Sequence, residues 1–179
     1  MQTRCQVLAC HGTLDAPLGV HAMEIQVDHR CALESVTERI ARVTNAGGAR
    51  EEARRALDEL LADRDFDRCC VPHYLAPAPR ARERELEIPV AEAGRIRTRV
   101  IVWPVGAKDV RHPHTDGWAA FSVVRGDLTV TEERRGARRP ERRVPTRLAQ
   151  VLRPEDGVAH HMHNRGGEVG LTIHVFGQP

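Results

Sequence analysis

The sequence predicts an all-β barrel or sandwich preceded by a helical extension. Two observations carry this. The hydrophobic period changes from about 3.6 to 2 near residue 80. Beyond that point, short β-rich runs alternate with Gly- and Pro-containing turns. The length, 179 residues and 20.0 kDa, suits one core with a small appendage.

The first thirty residues are ambiguous, although Met23, Ile25 and Val27 alternate as in a short strand. Residues from about Cys31 to Asp67 read as helical. Val36, Ile40 and Val43 have helical spacing, and Asn45-Ala46-Gly47-Gly48 is a stop signal. Ala53, Ala56, Leu57, Leu60 and Leu61 form the apolar stripe of a second helix. Its other face carries Glu51, Arg54, Arg55, Asp58 and Glu59 and is solvated. Residues 71–80, with three prolines, read as a linker. The expected division is a helical extension over 1–79, packing on a barrel over 80–179.

Within the barrel region, alternation begins at Arg84–Ile88. Further β-rich runs lie at Arg95–Trp103, Trp118–Thr131, Leu148–Leu152 and Glu168–Phe176. Turns are expected at Pro89–Gly94, Pro104–Gly106, Arg125–Asp127 and Pro154–Gly157. Arg134 to Arg147 holds seven arginines interleaved with Glu141 and preceded by Glu132 and Glu133. That run predicts an exposed, solvated hairpin.

Composition excludes several function classes. Apolar residues make up 41% and charged residues 29%, as in an ordinary globular chain. No apolar run approaches the roughly 20 residues of a membrane-spanning helix. The N-terminus lacks the apolar core of a secretory signal, so a cytoplasmic location is expected. Basic residues number 27 and acidic 25, a net +2, and aromatics are 3%. Neither nucleic-acid nor membrane binding is expected. Cys5, Cys10, Cys31, Cys69 and Cys70 show no CxxC spacing and are expected to be reduced thiols.

Two histidine clusters carry the chemistry. His112 and His114 are two apart and would share one face of a strand. Burying two imidazoles without partners is costly, so the pair points to a metal as much as to packing. In the second cluster, His160, Met162 and Asn164 would share one strand face and His161 and His163 the other. Periodicity alone leaves open which face looks inward.

These clusters resemble the two motifs of the cupin superfamily. Gly106, His112, His114 and Gly126 match the first motif, while its glutamate slot holds Ala119. Gly157, His160 and Asn164 match the end of the second. The resemblance covers roughly residues 80–179. It implies a double-stranded β-helix (jelly-roll) barrel and selects His160 as the third ligand beside His112 and His114.

Three neutral imidazoles without the glutamate resemble the iron site of thiol dioxygenases, with cysteine dioxygenase as the type. Trp103 precedes His112 by nine positions, and His114-Thr115-Asp116 is similar to the family's H-x-H-T-D run. Thr172, His174 and Phe176 stand where the family has Ser, His and Tyr. The resemblance implies Fe(II) on His112, His114 and His160, and oxidation by O₂ of the sulfur of a small thiol such as L-cysteine, to a sulfinate or a further product. It implies that His174 orients groups at the site and that an arginine holds a substrate carboxylate. Arg84 is the first choice and Arg82 the second. Trp103, Tyr74 and Phe176 would border the substrate, with Trp118 and Phe121 helping to exclude water. Phe176 removes the family's phenol, and Ala119 removes the cysteine that would crosslink to it. A monomer or homodimer is expected. The rival readings are another metal-dependent cupin enzyme, acting on a carbon substrate or as an isomerase, and a non-enzymatic cupin that binds a small ligand.

Overall fold

The computed structural model describes residues 32–75, 85–113, 117–134, 137–152 and 157–178. Met23, Ile25 and Val27 and the boundary at 79/80 lie outside these. So do Cys5, Cys10 and Cys31 and the side chains of Cys69 and Cys70.

Three helices open the described chain. Residues 32–41 are helical (α1). α2 spans Ala46–Ala62, where the Asn45 side chain accepts the Gly48 N–H and caps the first turn. Its apolar stripe, Ala53, Ala56, Leu57, Leu60 and Leu61, is buried as its spacing requires. α3 spans Arg64–Leu75 and carries Pro72. Residues 71–75 of the expected linker are therefore helix, and its residues 76–80 lie outside the described residues. Phe66 and Tyr74 are buried in the core that the helices share with the sheet. Their burial outweighs the missing proline N–H, three residues before the helix ends.

The remainder is antiparallel β-structure. β1 (Leu86–Ala93), β2 (Ile96–Trp103), β4 (Trp118–Arg125), β8 (Gln150–Leu152) and β10 (Gly170–Gly177) form one sheet. Its order is β1-β2-β10-β4-β8. β3 (His112–Pro113), β5 (Leu128–Arg134), β6 (Ala137–Arg138) and β9 (Val158–Asn164) form the second, ordered β3-β9-β5-β6, with β7 (Arg142–Arg143) also on β5. Of the turn expected over Pro89–Gly94, Pro89–Ala93 is strand, and the turn is confined to Gly94 and Arg95. Pro89 lies on an edge strand, beside a bulge between Pro89 and Ala91, where a missing donor is tolerated. The order β2-β10-β4-β8 over β3-β9-β5-β6/β7 is the paired Greek-key order of a jelly roll.

Two cores lie on opposite faces of the first sheet. Val100, Val102, Trp118, Ala120, Leu171, Ile173 and Val175 face the helices. Ile101, Trp103, Phe121 and Val123 face the second sheet and meet Leu128, Val130, Val144 and Met162 inside the barrel. Alternation along each strand divides the two sets. The helices are tied down by polar links. Thr37 Oγ1 lies 2.7 Å from Thr98 Oγ1, and Asp58 accepts the Ala149 N–H at 3.0 Å. Gly126 makes the β4–β5 turn at φ +94°, and a Cβ there would lie 2.6 Å from Gly170 Cα. Among the described residues, no helix is long and apolar enough to cross a membrane.

Candidate metal centre

β9 decides which histidines look inward. Val130 and Leu128 line the barrel interior and lie opposite Met162 and Asn164. Opposed residues share a face, so His160, Met162 and Asn164 point in and His161 and His163 point away. His160 is 3% exposed. Asn164 is a clamp. Its Nδ2 faces the carbonyls of Trp103, Pro104 and Glu168 at 2.9, 3.1 and 2.8 Å, and its Oδ1 accepts the Gly166 N–H.

The edge beside β9 is built by residues 106–113. Gly106 turns the chain at φ +78° and donates to Asn164 O. Lys108 lies opposite His163, and His112 lies opposite His160. The edge thus advances four residues while β9 advances three, which is a β-bulge. Asp109 falls opposite Met162, exchanging its N–H with Met162 O at 3.2 Å and taking the Met162 N–H on Oδ1 at 2.6 Å. In a regular strand Asp109 and His112, three apart, would face opposite ways. The bulge turns both toward His160, with Asp109 the more buried and His112 nearer the surface.

Asp109, His112 and His160 each offer a ligand atom within 4.8 Å of the others. The two rings meet edge to face, with centroids 4.7 Å apart. His112 Nδ1 lies 2.8 Å from Val110 O, and an imidazole donating there carries its lone pair on Nε2. Burial pushes the Asp109 carboxyl up to about 6, against the Met162 N–H and His112, which pull it down. Two imidazoles and one carboxylate form a donor set suited to Fe(II). A divalent ion fits this set, and its charge would offset the buried carboxylate. His114 lies outside the described residues, as do Arg82 and Arg84.

The other predicted residues are placed as follows. Thr172, His174 and Phe176 project into the barrel from β10, since Leu171, Ile173 and Val175 face the helices. Trp103 is buried inside and donates its indole N–H to Thr172 Oγ1 at 2.9 Å. His174 Nε2 lies 2.9 Å from the same hydroxyl. The His174 ring stacks with Phe121 (5.2 Å) and with Phe176 (5.8 Å). Arg99 extends this stack, 5.9 Å over the Phe176 ring, and pairs with Glu87. Tyr74, expected beside the substrate, packs instead in the helix-facing core, on the far side of the sheet. Trp118 shares that outer core and does not shield the interior. The slot read as a missing glutamate is a buried methyl: Ala119 lies opposite Phe176 and Leu152.

Asp109 was not legible, because the pairing rule applied to His112 and His114 counts residues two apart. The signal available was the carboxylate in the Gly106–His112 loop. Two arginines on the inner face, Arg97 and Arg99, were also missed, in a strand already read as β.

No protein-family model matches the sequence, and no curated protein matches it. Among solved structures, the cupin domain of Schizosaccharomyces pombe Cnp3 is 16% identical, with a TM-score of 0.46 over 53% of this chain and 61% of that one. A cupin superfamily protein from Desulfitobacterium hafniense is 11% identical, with a TM-score of 0.45 over 55% and 82%. An RmlC-like cupin from Methanocaldococcus jannaschii is 13% identical, with a TM-score of 0.45 over 55% and 84%. On the order of its own strands, the chain is a double-sheet jelly-roll barrel preceded by helices.

Proposed function

We propose that this barrel is a non-haem iron oxygenase that oxidises the sulfur of a small thiol with O₂. The observation that carries the reading is the convergence of Asp109, His112 and His160 at the edge of the barrel. Asp109, His112 and His160, with His114 as a further ligand, would hold an Fe(II) ion, which would supply the redox chemistry for adding O₂ to a thiol. The reaction is R–SH + O₂ → R–SO₂H: both oxygen atoms end on sulfur, which gives up the four electrons that O₂ gains.

The chain's own residues prepare that site. Met162 N–H holds one oxygen of Asp109, so the other is turned toward His112, 3.7 Å from its Nδ1. Val110 O fixes the His112 ring. Trp103, Phe121 and Met162 make the floor dry. Thr172 ties Trp103 to His174, and Phe176 presents a ring where a phenol would donate a proton. A dioxygenase of carbon substrates is the second reading, favoured by Asp109. A carboxylate lowers the charge of the centre relative to three imidazoles and so reduces its pull on a thiolate.

The test is anaerobic loading with Fe(II), then O₂ consumption with a thiol panel and mass analysis of products. Thiol-dependent uptake with a gain of two oxygen atoms on the thiol is expected. Bound iron without uptake for any thiol would overturn the reading in favour of a carbon substrate.

A further inference from the structure

The second sheet carries a carboxylate beside the centre that the ligand set does not use. On β5, Glu132 lies directly opposite His160, and His160 lies directly opposite His112 on β3. Opposed residues share a face, with Cβ atoms about 5 Å apart. His112, His160 and Glu132 therefore form one row across three strands. Asp109 and His112 both come from the bulged edge, so an ion held by them with His160 sits on the β3 side of that ring. Glu132 flanks the other side.

The Glu132 side chain is only 13% exposed, and two arginines of the 137–143 hairpin reach it. Arg142 lies opposite Val130 and so shares the inner face. Its Nη2 donates to Glu132 Oε1 at 2.8 Å. Arg139 Nη1 is 3.7 Å from Oε2, beyond hydrogen-bond distance. Oε1 thus serves the hairpin, while Oε2 retains lone pairs for a donor. His160 has such a donor to offer. A histidine that holds an ion through one ring nitrogen carries a proton on the other, and an outer carboxylate is a common acceptor for it. At 3% exposure, the His160 ring needs that acceptor from the protein rather than from bulk water.

We propose that Glu132 is a positioning residue for the metal centre: in the metal-bound protein its Oε2 accepts the ring N–H of His160. This fixes the tautomer of the ring and raises the basicity of the nitrogen that holds the ion. The role requires the ion at Asp109, His112 and His160, and it holds whether the substrate is a thiol or a carbon compound. The rival role is structural, with Glu132 serving only to anchor the hairpin through Arg142 and Arg139.

The test uses the full chain with Zn(II) as the probe, its affinity read by competition with a chromophoric chelator. Glu132→Gln keeps the size of the side chain and removes its charge. It should weaken Zn(II) binding by about 10-fold, as expected for the loss of a ligand's outer partner. Arg142→Met releases the hairpin and keeps the carboxylate. It should hold Zn(II) affinity within about 3-fold while lowering the urea midpoint, as loss of a half-exposed ion pair allows. NMR of the Zn(II)-loaded, ¹⁵N-histidine-labelled wild type should show a His160 ring N–H protected from exchange with water, and Glu132→Gln should shift it. Unchanged affinity in Glu132→Gln overturns the inference. So does an equal loss in the two variants, which would make Glu132 a hairpin anchor. A His160 ring N–H that is unprotected in the wild type, or unmoved by Glu132→Gln, overturns it as well. In each of these cases the metal centre stands. Failure of the wild type to bind Zn(II) overturns the inference and the centre together. No thiol enters the experiment, so the thiol reading stands or falls on the O₂ measurements alone.

Discussion

His174 and His160 enter the barrel from opposite sheets, and their surroundings differ. His174 stacks with Phe121 and with Phe176, with Nε2 on the Thr172 hydroxyl. Its ring lies among aromatic side chains. His160 sits against a second imidazole and a carboxyl, beside a bulged edge. Both histidines are more than nine-tenths buried. Burial therefore does not separate a packing histidine from a ligating one. The neighbouring donors do: aromatic faces stabilise a neutral ring, whereas a cluster of lone pairs calls for a cation.

The comparison can be broken most directly at His160. His160→Ala should lower Fe(II) affinity by more than about 100-fold, exceeding the effect of losing an outer partner of a ligand. Metal content after equilibrium dialysis reads this, with circular dichroism to check the fold. Asp109→Asn keeps shape and the Met162 hydrogen bond but removes the charge. It should cost roughly 10- to 100-fold in the same measurement. Unchanged metal content in Asp109→Asn would remove the carboxylate from the ligand set.

Asn164→Ala sharpens the contrast from the structural side. It strands carbonyls of Trp103, Pro104 and Glu168 and should cost about 2 kcal/mol, read as a lower urea midpoint. The smallest effect belongs to His174→Phe, which preserves the stack and gives up the Thr172 contact. About 1 kcal/mol of stability should be lost with metal content unchanged. A loss of metal comparable to that of His160→Ala would show that the two histidines serve one centre.

Much of the barrel was legible from short-range rules. Period-2 runs and glycine turns located β2, β4, β5, β8 and β10, and the second motif turned His160 inward. Two proline positions misled, for different reasons. Pro89 lacks a donor where an edge strand does not need one, whereas Pro72 gives up a helical hydrogen bond that the burial of Phe66 and Tyr74 outweighs. Tyr74 was misplaced because a tyrosine's neighbours depend on which face of the sheet its helix covers, a tertiary fact. Asp109 escaped because its direction is set by pairing with β9, more than fifty residues later.

That pairing also changes how such centres are to be compared across proteins. The surplus residue is absorbed between Asp109 and His112, where Val110 is 78% exposed. With one residue removed from positions 110–111, the acid and the histidine would become alternate residues of a regular strand and both would still face the barrel. An alignment that insists on matching columns would score the two versions as different, although each delivers the same pair of groups. Correspondence between these barrels is better counted in inward positions along the edge than in residues between the acid and the histidine.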